Sequence, residues 1–419
     1  MGVKLLINSL FRGGAEKQFA ALAPHIPHDA LYLLERDMTL ETGGESPFSL
    51  SDHDAATSSV LKTASIPLYA RRLAALSRPR DTVLSFMERA NFVNVLASER
   101  SGHRAVICER TQPSREFSGI RALAFKPLIK KLYPRASVIV ANSNGVKNDL
   151  VSNFSVPADK IRIINNGYDI TAIAEKAEEP LPAPYAGIFK RPVLATSGRL
   201  TAAKGQWHML RLFRKIKTAR KDAALMLFGE GELRGYLMRL SEELGFKTFR
   251  GRRSGNREQE TGAGALENFD VYFPGFEENP YKFLAHARLF LFTSLWEGFP
   301  NALVEAMASG VPVISSDCAS GPREILAPDT PFEFQTRTPE PAPHGVLMPP
   351  LSGFRRRAST PLEPAEELWA ETALALLNDK TARENYARSG LERAKDFELS
   401  KTAGQWRELL IPENLIKFS

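Results

Sequence analysis

Short runs rich in Val, Ile and Leu recur along the chain, separated by longer segments in which apolar residues return every three or four positions. The short runs are continuous rather than alternating, as in strands buried on both faces, and the helical segments between them imply parallel crossover units. Strands are predicted at 3–9, 30–34, 82–87, 105–109, 138–142 and 161–165, and again at 193–197, 224–228, 271–274, 289–293, 311–315 and 346–348. Between the two series lies 177–192, where four prolines in sixteen residues mark a break. The expectation is an α/β chain of two parallel-sheet domains: 1–176, a linker at 177–191, and 192–396, with a helix at about 397–419 completing the first domain. Trp406 suits docking of that helix. Two stretches fit neither series. Residues 251–264, polar and glycine-rich, read as a mobile insertion, and the proline-rich 328–364 as largely irregular.

Composition supports this picture. With 419 residues, 43% hydrophobic and 25% charged, the chain is ordinary globular protein of two to three folded units, which excludes collagen, coiled coil and disorder. No apolar run approaches the roughly 18–20 residues of a membrane-spanning helix, and 287–296, the best, contains Arg288. The amino terminus does not read as a signal peptide. Two cysteines, Cys108 and Cys318, are too few for a disulfide framework or a metal cluster, so a reducing cytoplasm is expected. The net charge of +7 is unevenly spread: residues 62–147 hold 16 Lys and Arg against five acids. Such a local excess points to an anionic partner.

Three segments carry candidate chemistry. In LWEGFPNALVEAMASGVPV (295–313) a strand delivers Glu297 to a Gly-Phe-Pro turn, a helix opens with Pro300 in its first turn, and Glu305 follows eight residues after Glu297. The free N–H groups of such a helix start attract phosphate oxygens, and an acid one turn in suits ribose hydroxyls. In SGRLTAAKG (197–205), Arg199 and Lys204 follow a strand at the sheet edge where α/β proteins bind ligands, placed to grip a diphosphate. There is no P-loop. At 11–17, Gly13 and Gly14 follow the first strand and allow close backbone approach.

Together these segments resemble those of a retaining family 4 glycosyltransferase of the GT-B type, two Rossmann-like domains whose parallel sheets face a central cleft. GGAEK (13–17), GRL…KG (198–205), FGEGELR (228–234), PGFEENPY (274–281), EGFPNALVE (297–305) and SGPREIL (320–326) carry the resemblance. GGAEK with SGPREIL is most similar to N-acetylhexosaminyltransferases acting on polyprenyl-diphosphate-linked glycans. The resemblance implies that Arg199 and Lys204 hold the donor diphosphate, that Glu297 faces the transferred sugar and that Glu305 binds the ribose. Gly298, Phe299, Pro300, Asn301 and Ala302 would contact phosphate and sugar, Gly229, Gly275 and Phe276 would line the base pocket, and Gly13 and Gly14 would close over the diphosphate. Relatives often carry a histidine where this chain has Glu109-Arg110. Glu16, Glu109 and Arg110 are read as acceptor or positioning residues.

The donor implied is a UDP-sugar, the reaction needs no metal or other cofactor, and the departing diphosphate itself accepts the acceptor hydroxyl's proton. The protein then stabilises charge and orients two substrates. The segment 115–135 alternates Arg121, Lys126, Lys130 and Lys131 with apolar residues. It reads as a basic amphipathic helix for an anionic membrane surface or an acceptor diphosphate, putting the enzyme at the inner face of the membrane as a peripheral protein. Nucleic acid is not an expected partner, for no base-stacking motif accompanies the charge. A UDP-sugar 2-epimerase of the same fold and a non-catalytic sugar-nucleotide-binding protein are the competing readings.

Overall fold

Strands whose sequences are largely apolar are buried throughout: every position of Thr82–Phe86 and of Ala224–Phe228 is shielded from solvent. The computed structural model describes residues 2–11, 13–43, 46–251 and 266–411. They divide into two units, Met1–Tyr168 with Phe397–Ser419, and Asp169–Asp396.

In the first unit, β1 (Val3–Ile7), β2 (Ala30–Leu33), β3 (Phe48–Ser49), β4 (Thr82–Phe86), β5 (Arg104–Glu109), β6 (Val138–Ala141) and β7 (Ile161–Ile163) form a sheet in the order β3-β2-β1-β4-β5-β6-β7. All its pairings are parallel. The order reverses direction between β1 and β4, leaving a crevice at the carboxyl ends of those strands. The last helix, Leu399–Leu410, belongs to this unit. It buries Ala403, Trp406 and Leu410 in a core with Leu5, Phe19 and Phe86, the Trp406 and Phe86 rings 5.7 Å apart.

The second unit holds β8 (Val193–Ser197), β9 (Ala224–Phe228), β10 (Thr248–Arg250), β11 (Val271–Gly275), β12 (Leu289–Phe292), β13 (Val313–Ser316), β14 (Glu340–Ala342) and β15 (Gly345–Met348). Their order is β10-β11-β9-β8-β12-β13-β15-β14, with the switch between β8 and β12. β14 pairs antiparallel with β15 at the sheet's edge; the other pairings are parallel. β3, β10 and β14 are absent from the sequence prediction because they have two or three residues and no buried apolar run.

The boundary differs from that read in the sequence. Helix Ile170–Glu178 belongs to the second unit, as does the proline-rich stretch after it, which forms the short helix Ala183–Ala186 and a turn at Ile188–Lys190. Prolines at helix starts and the buried Ile188 account for ordered structure where proline content alone suggested a linker. The insertion read at 251–264 lies, beyond Gly251, outside the described residues, as does 412–419.

Candidate active site

Four loops, after β8, β9, β11 and β12, meet at the carboxyl edge of the second sheet, and backbone hydrogen bonds tie them together. Gly198 N–H donates to the Phe228 carbonyl (3.0 Å), Leu200 N–H to Glu230 (2.9 Å), Gly229 N–H to Gly275 (2.7 Å) and Leu295 N–H to Ala203 (2.7 Å). The approach is close enough to require glycine. At Gly229, φ is +128° and a Cβ would stand 2.0 Å from the Gly198 carbonyl oxygen; at Gly205, φ is +60° and a Cβ would stand 2.5 Å from that of Thr293.

These loops bring Lys204 and Glu297 together across the β8–β12 switch. Lys204 Nζ lies 2.5 Å from Glu297 Oε1 and 5.6 Å from the centroid of the Phe292 ring. Their side chains are 21% and 11% exposed, so the ion pair is shielded yet reachable. Arg199, five residues before Lys204, is exposed on the same loop. Glu305 stands one turn into helix Asn301–Ala308, where the Tyr281 hydroxyl donates a hydrogen bond to it. Burial first, and then the Glu305 charge and hydrogen bond, push the Tyr281 hydroxyl well above its ordinary value, so it stays a donor. Pro300 is the N-cap of this helix rather than part of its first turn. Gly298, Phe299 and Pro300 are buried, whereas Asn301 and Ala302 are half-buried at the helix start. Gly275, with φ of +101°, closes β11, and half-buried Phe276 follows.

The SGPREIL segment supports this turn from behind. Ser320 Oγ donates to the Gly298 carbonyl (2.7 Å), and Gly321, at φ of +89°, would place a Cβ 2.4 Å from Pro300 Cδ. Its Arg323 is buried and locked to Asp317 (2.6 Å) and Glu340 (2.7 Å).

At the carboxyl edge of the first sheet, Glu109 and Arg110 are both buried. Glu109 accepts from the Tyr133 hydroxyl (2.7 Å), Arg110 N–H (2.9 Å) and Thr111 N–H (3.2 Å). Burial, with the Glu88 carboxylate as the second cause, nevertheless raises its pKa to about 8. The Arg110 guanidinium is held by Asn166 Oδ1 at 2.5 Å and lies 5.0 Å from the Phe86 ring centroid, with no ion pair among the described residues. Gly13 caps helix Gly14–Leu22, and Glu16, in its first turn, bends back until a Cβ on Gly13 would meet its carboxylate.

Glu88 escaped sequence reasoning. It is half-buried at the start of helix Glu88–Ser101, just past β4 at the first sheet's switch point, and burial raises its pKa. The residue before it, Met87, has φ of +75°, a strained conformation for a side chain with a Cβ. The strand–turn–acid pattern is the one that marked Glu297, but a dominant basic background masked it. Tyr281 was also missed, although the segment that contains it had been picked out.

In the segment 115–135 the apolar face is covered by protein and the basic residues are left outside. Helix Gly119–Leu132 turns Phe125, Ile129 and Leu132 into the first unit's core, and Tyr133 follows them. A period of 3.6 places 125, 129 and 132 on one face, and Phe92 meets Phe125 at 5.7 Å and Tyr133 at 5.9 Å. What faces solvent is Leu123, 78% exposed, with Arg121, Lys130 and Lys131. Lys126 donates to the Ser114 carbonyl at 3.0 Å. No helix among the described residues is long and apolar enough to cross a membrane, and none of their His, Cys, Asp and Glu side chains form a group of three or more that could hold a metal. Cys108 and Cys318 are buried and free, and burial pushes the Cys108 thiol up to about 11.

Residues 57–172 match the family described as Glycosyltransferase Family 4, and residues 191–340 the family described as Glycosyl transferases group 1. An uncharacterized glycosyltransferase of Methanocaldococcus jannaschii is 34% identical over 298 residues, 70% of this chain and 67% of that protein. The N-acetylgalactosamine-N,N'-diacetylbacillosaminyl-diphospho-undecaprenol 4-alpha-N-acetylgalactosaminyltransferase of Campylobacter jejuni is 31% identical over 333 residues, 78% and 83% of the two chains. Among solved structures, HepE of Anabaena in complex with UDP superimposes with a TM-score of 0.69 at 19% identity, covering 98% of this chain and 99% of that one.

Proposed function

The chain belongs to the family 4 (group 1) glycosyltransferases, with the two parallel-sheet α/β domains of the GT-B type, and on that premise we propose that it moves a hexose or N-acetylhexosamine from a UDP-sugar to a lipid-linked glycan with retention at the anomeric carbon. The Lys204–Glu297 pair, 2.5 Å across the second sheet's switch point, carries this reading. A lysine so placed can exchange its carboxylate partner for a diphosphate oxygen. Arg199 adds a second cation, and the N–H groups opening helix Asn301–Ala308 add the positive end of a dipole. These groups stabilise charge where it develops as the diphosphate leaves. Glu297, released from Lys204, is then available to the sugar hydroxyls, and Glu305, oriented by Tyr281, to the ribose.

In a retaining transfer the acceptor oxygen bonds to the anomeric carbon as the bond to the diphosphate oxygen breaks, and the acceptor's proton passes to that departing oxygen. No protein nucleophile is required. Glu88, Glu109 and Arg110 are assigned to the acceptor side, the exposed Arg121, Lys130 and Lys131 to its diphosphate or to an anionic membrane surface at the cytoplasmic face. The Campylobacter relative, whose name states a diphospho-undecaprenol acceptor, and the UDP-bound structural neighbour support the choice of acceptor and donor. Since cationic side chains carry the diphosphate charge, activity is expected to persist in EDTA.

The test is nucleotide release from a panel of UDP-, GDP- and ADP-sugars, with membrane lipid extract as acceptor. Acceptor-dependent release of UDP is the expected result. Activity with GDP-sugars alone overturns the donor assignment, and release of free sugar or an epimer without acceptor favours the epimerase reading.

A further inference from the structure

A pocket of about 360 Å³ opens in the second unit, lined by Pro192, Arg220, Arg288, Leu377, Lys380 and Arg383. It lies at the amino edge of the sheet: Pro192 precedes β8, Arg220 precedes β9 and Arg288 precedes β12. The loops bearing Lys204 and Glu297 are at the opposite, carboxyl edge, so this pocket is no part of the donor site.

Four of its six lining residues are cations, and their local neutralisation is incomplete. Arg220 pairs with Asp222 at 3.2 Å and donates to Asn378 Oδ1 at 2.9 Å. Lys380 lies 3.5 Å from Glu384, both largely exposed. Arg383 donates through Nη1 to the Leu376 (2.5 Å) and Leu377 (2.7 Å) carbonyls, which anchors its guanidinium at the end of helix Pro364–Asn378 and leaves its other N–H groups uncommitted. Neither Arg383 nor Arg288 has an ion pair among the described residues. Burial, then the nearby Arg288 charge, makes the protonated Arg383 less favourable than usual, so the fold holds these cations together against their repulsion. An anion seated among them relieves that cost, and forked guanidinium groups match phosphate oxygens.

We infer that this pocket binds a phosphate-bearing anion, separately from the sugar donor. Phosphomonoester and diphosphate groups, free in solution or on a lipid headgroup, share the required chemistry: two or more oxygens able to accept from Arg288, Arg383 and Arg220 together, in a concavity too small for a folded partner.

Two binding measurements on the full chain test it, both made with excess UDP so that the donor site does not compete. One is calorimetric titration with inorganic pyrophosphate, the other co-sedimentation with phosphatidylglycerol–phosphatidylcholine vesicles. Arg288→Glu is the informative variant, because Arg288 is exposed and its loss opens no cavity. Lys380→Glu is a second variant at an exposed position, and circular dichroism confirms that both fold. The inference is supported if either substitution weakens pyrophosphate binding by about tenfold or more, about 1.4 kcal/mol, and Arg288→Lys restores most of it; the source is then a soluble phosphate. Loss of vesicle binding in the same variants, with pyrophosphate bound weakly by all of them, supports the inference with a lipid headgroup as the source. If folded Arg288→Glu and Lys380→Glu match the wild type in both measurements, the inference is wrong. Each readout compares a variant with the wild type, so it stands apart from whether UDP is the true donor nucleotide.

Discussion

Lys204 is the side chain on which the donor assignment is most exposed to test. Its ammonium and the Glu297 carboxylate satisfy each other in the free site, so removing either leaves a shielded charge alone. Lys204→Ala is expected to lower kcat by about 10²–10³, the loss typical of one preorganised contact to developing charge. It should lower the affinity for UDP as well, and steady-state kinetics with UDP titration would show both. Near-wild-type turnover would remove Lys204 from the mechanism. On the acceptor side, Glu109 makes a different prediction. Its folded pKa of about 8 lies above the ordinary carboxyl value of 4.5, so the folded chain holds a proton there that the unfolded chain has lost. The corresponding stability is complete below about pH 4.5 and is lost as pH rises through 8. Buried His103, lowered to about 4 chiefly by burial, acts the opposite way between about 4 and 6.5. The comparison should therefore be the wild type against Glu109→Gln: the variant is expected to lose the decline in stability between pH 5 and 8, measured by urea unfolding at several pH values. Both Lys204 and Glu109 could be picked out in the sequence, since each follows an apolar run. Glu88 follows an apolar run too, but only the fold shows that β4 borders the switch point and that the Glu109 carboxylate lies near it.

Elements determine whether those side chains are aimed. The turn Ala202–Lys204 ends at Gly205, in the left-handed conformation against the Thr293 carbonyl, and helix Gln206–Ala219 begins there. Gly205→Ala adds a left-handed alanine and a backbone clash, together on the order of 1–3 kcal/mol. It is expected to lower kcat/KM at least tenfold through displacement of Lys204 while leaving the secondary structure intact. Unchanged kinetics would mean that the turn does not aim the lysine. The helix over Gly119–Leu132 teaches the complementary lesson. Its basic and apolar residues were legible in order, but an amphipathic pattern does not state what its apolar face meets. Phe92 meets it at Phe125, while Leu123 is left well exposed.

Among the described residues there are two units, each with one sheet and its own buried clusters, so unfolding need not be a single transition. The second unit contains its own acid-sensitive lock. Glu366, fully buried, accepts from Arg211 Nε (2.9 Å) and pairs with His208 Nδ1 (2.7 Å), joining helix Pro364–Asn378 to helix Gln206–Ala219. Burial alone would raise its carboxyl, but the hydrogen bonds from His208 and Arg211 prevail and hold it at about 2. A depressed carboxyl contributes stability above its unfolded value near 4.5 and loses it as pH falls toward 2. Glu366→Ala leaves Arg211 and His208 buried without their partner and is expected to cost about 3–5 kcal/mol. Calorimetry should show the second unit's transition lowered and less dependent on pH below 4.5, while that of the first unit stays in place. Movement of both transitions together would mean that the units unfold as one.

Periodicity by itself determined that this chain makes two parallel-sheet units from buried strands and crossover helices, because a strand covered on both faces is predominantly apolar rather than alternating. The order of glycines and prolines also set the strand–turn–helix junctions that carry Arg199, Lys204, Glu297 and Glu305, since glycine permits turn conformations closed to other residues and proline fixes φ. Strand order, by contrast, was decided only in three dimensions. The neighbours of β8 and β12 are chosen by packing between residues almost a hundred positions apart, and that choice brings Lys204 to Glu297. The same long-range packing moved helix Ile170–Glu178 into the second unit and gathered Arg220, Arg288 and Arg383, distant in sequence, around one pocket. Local chemistry is written in order along the chain; proximity between its distant parts comes from burying the cores of the two units.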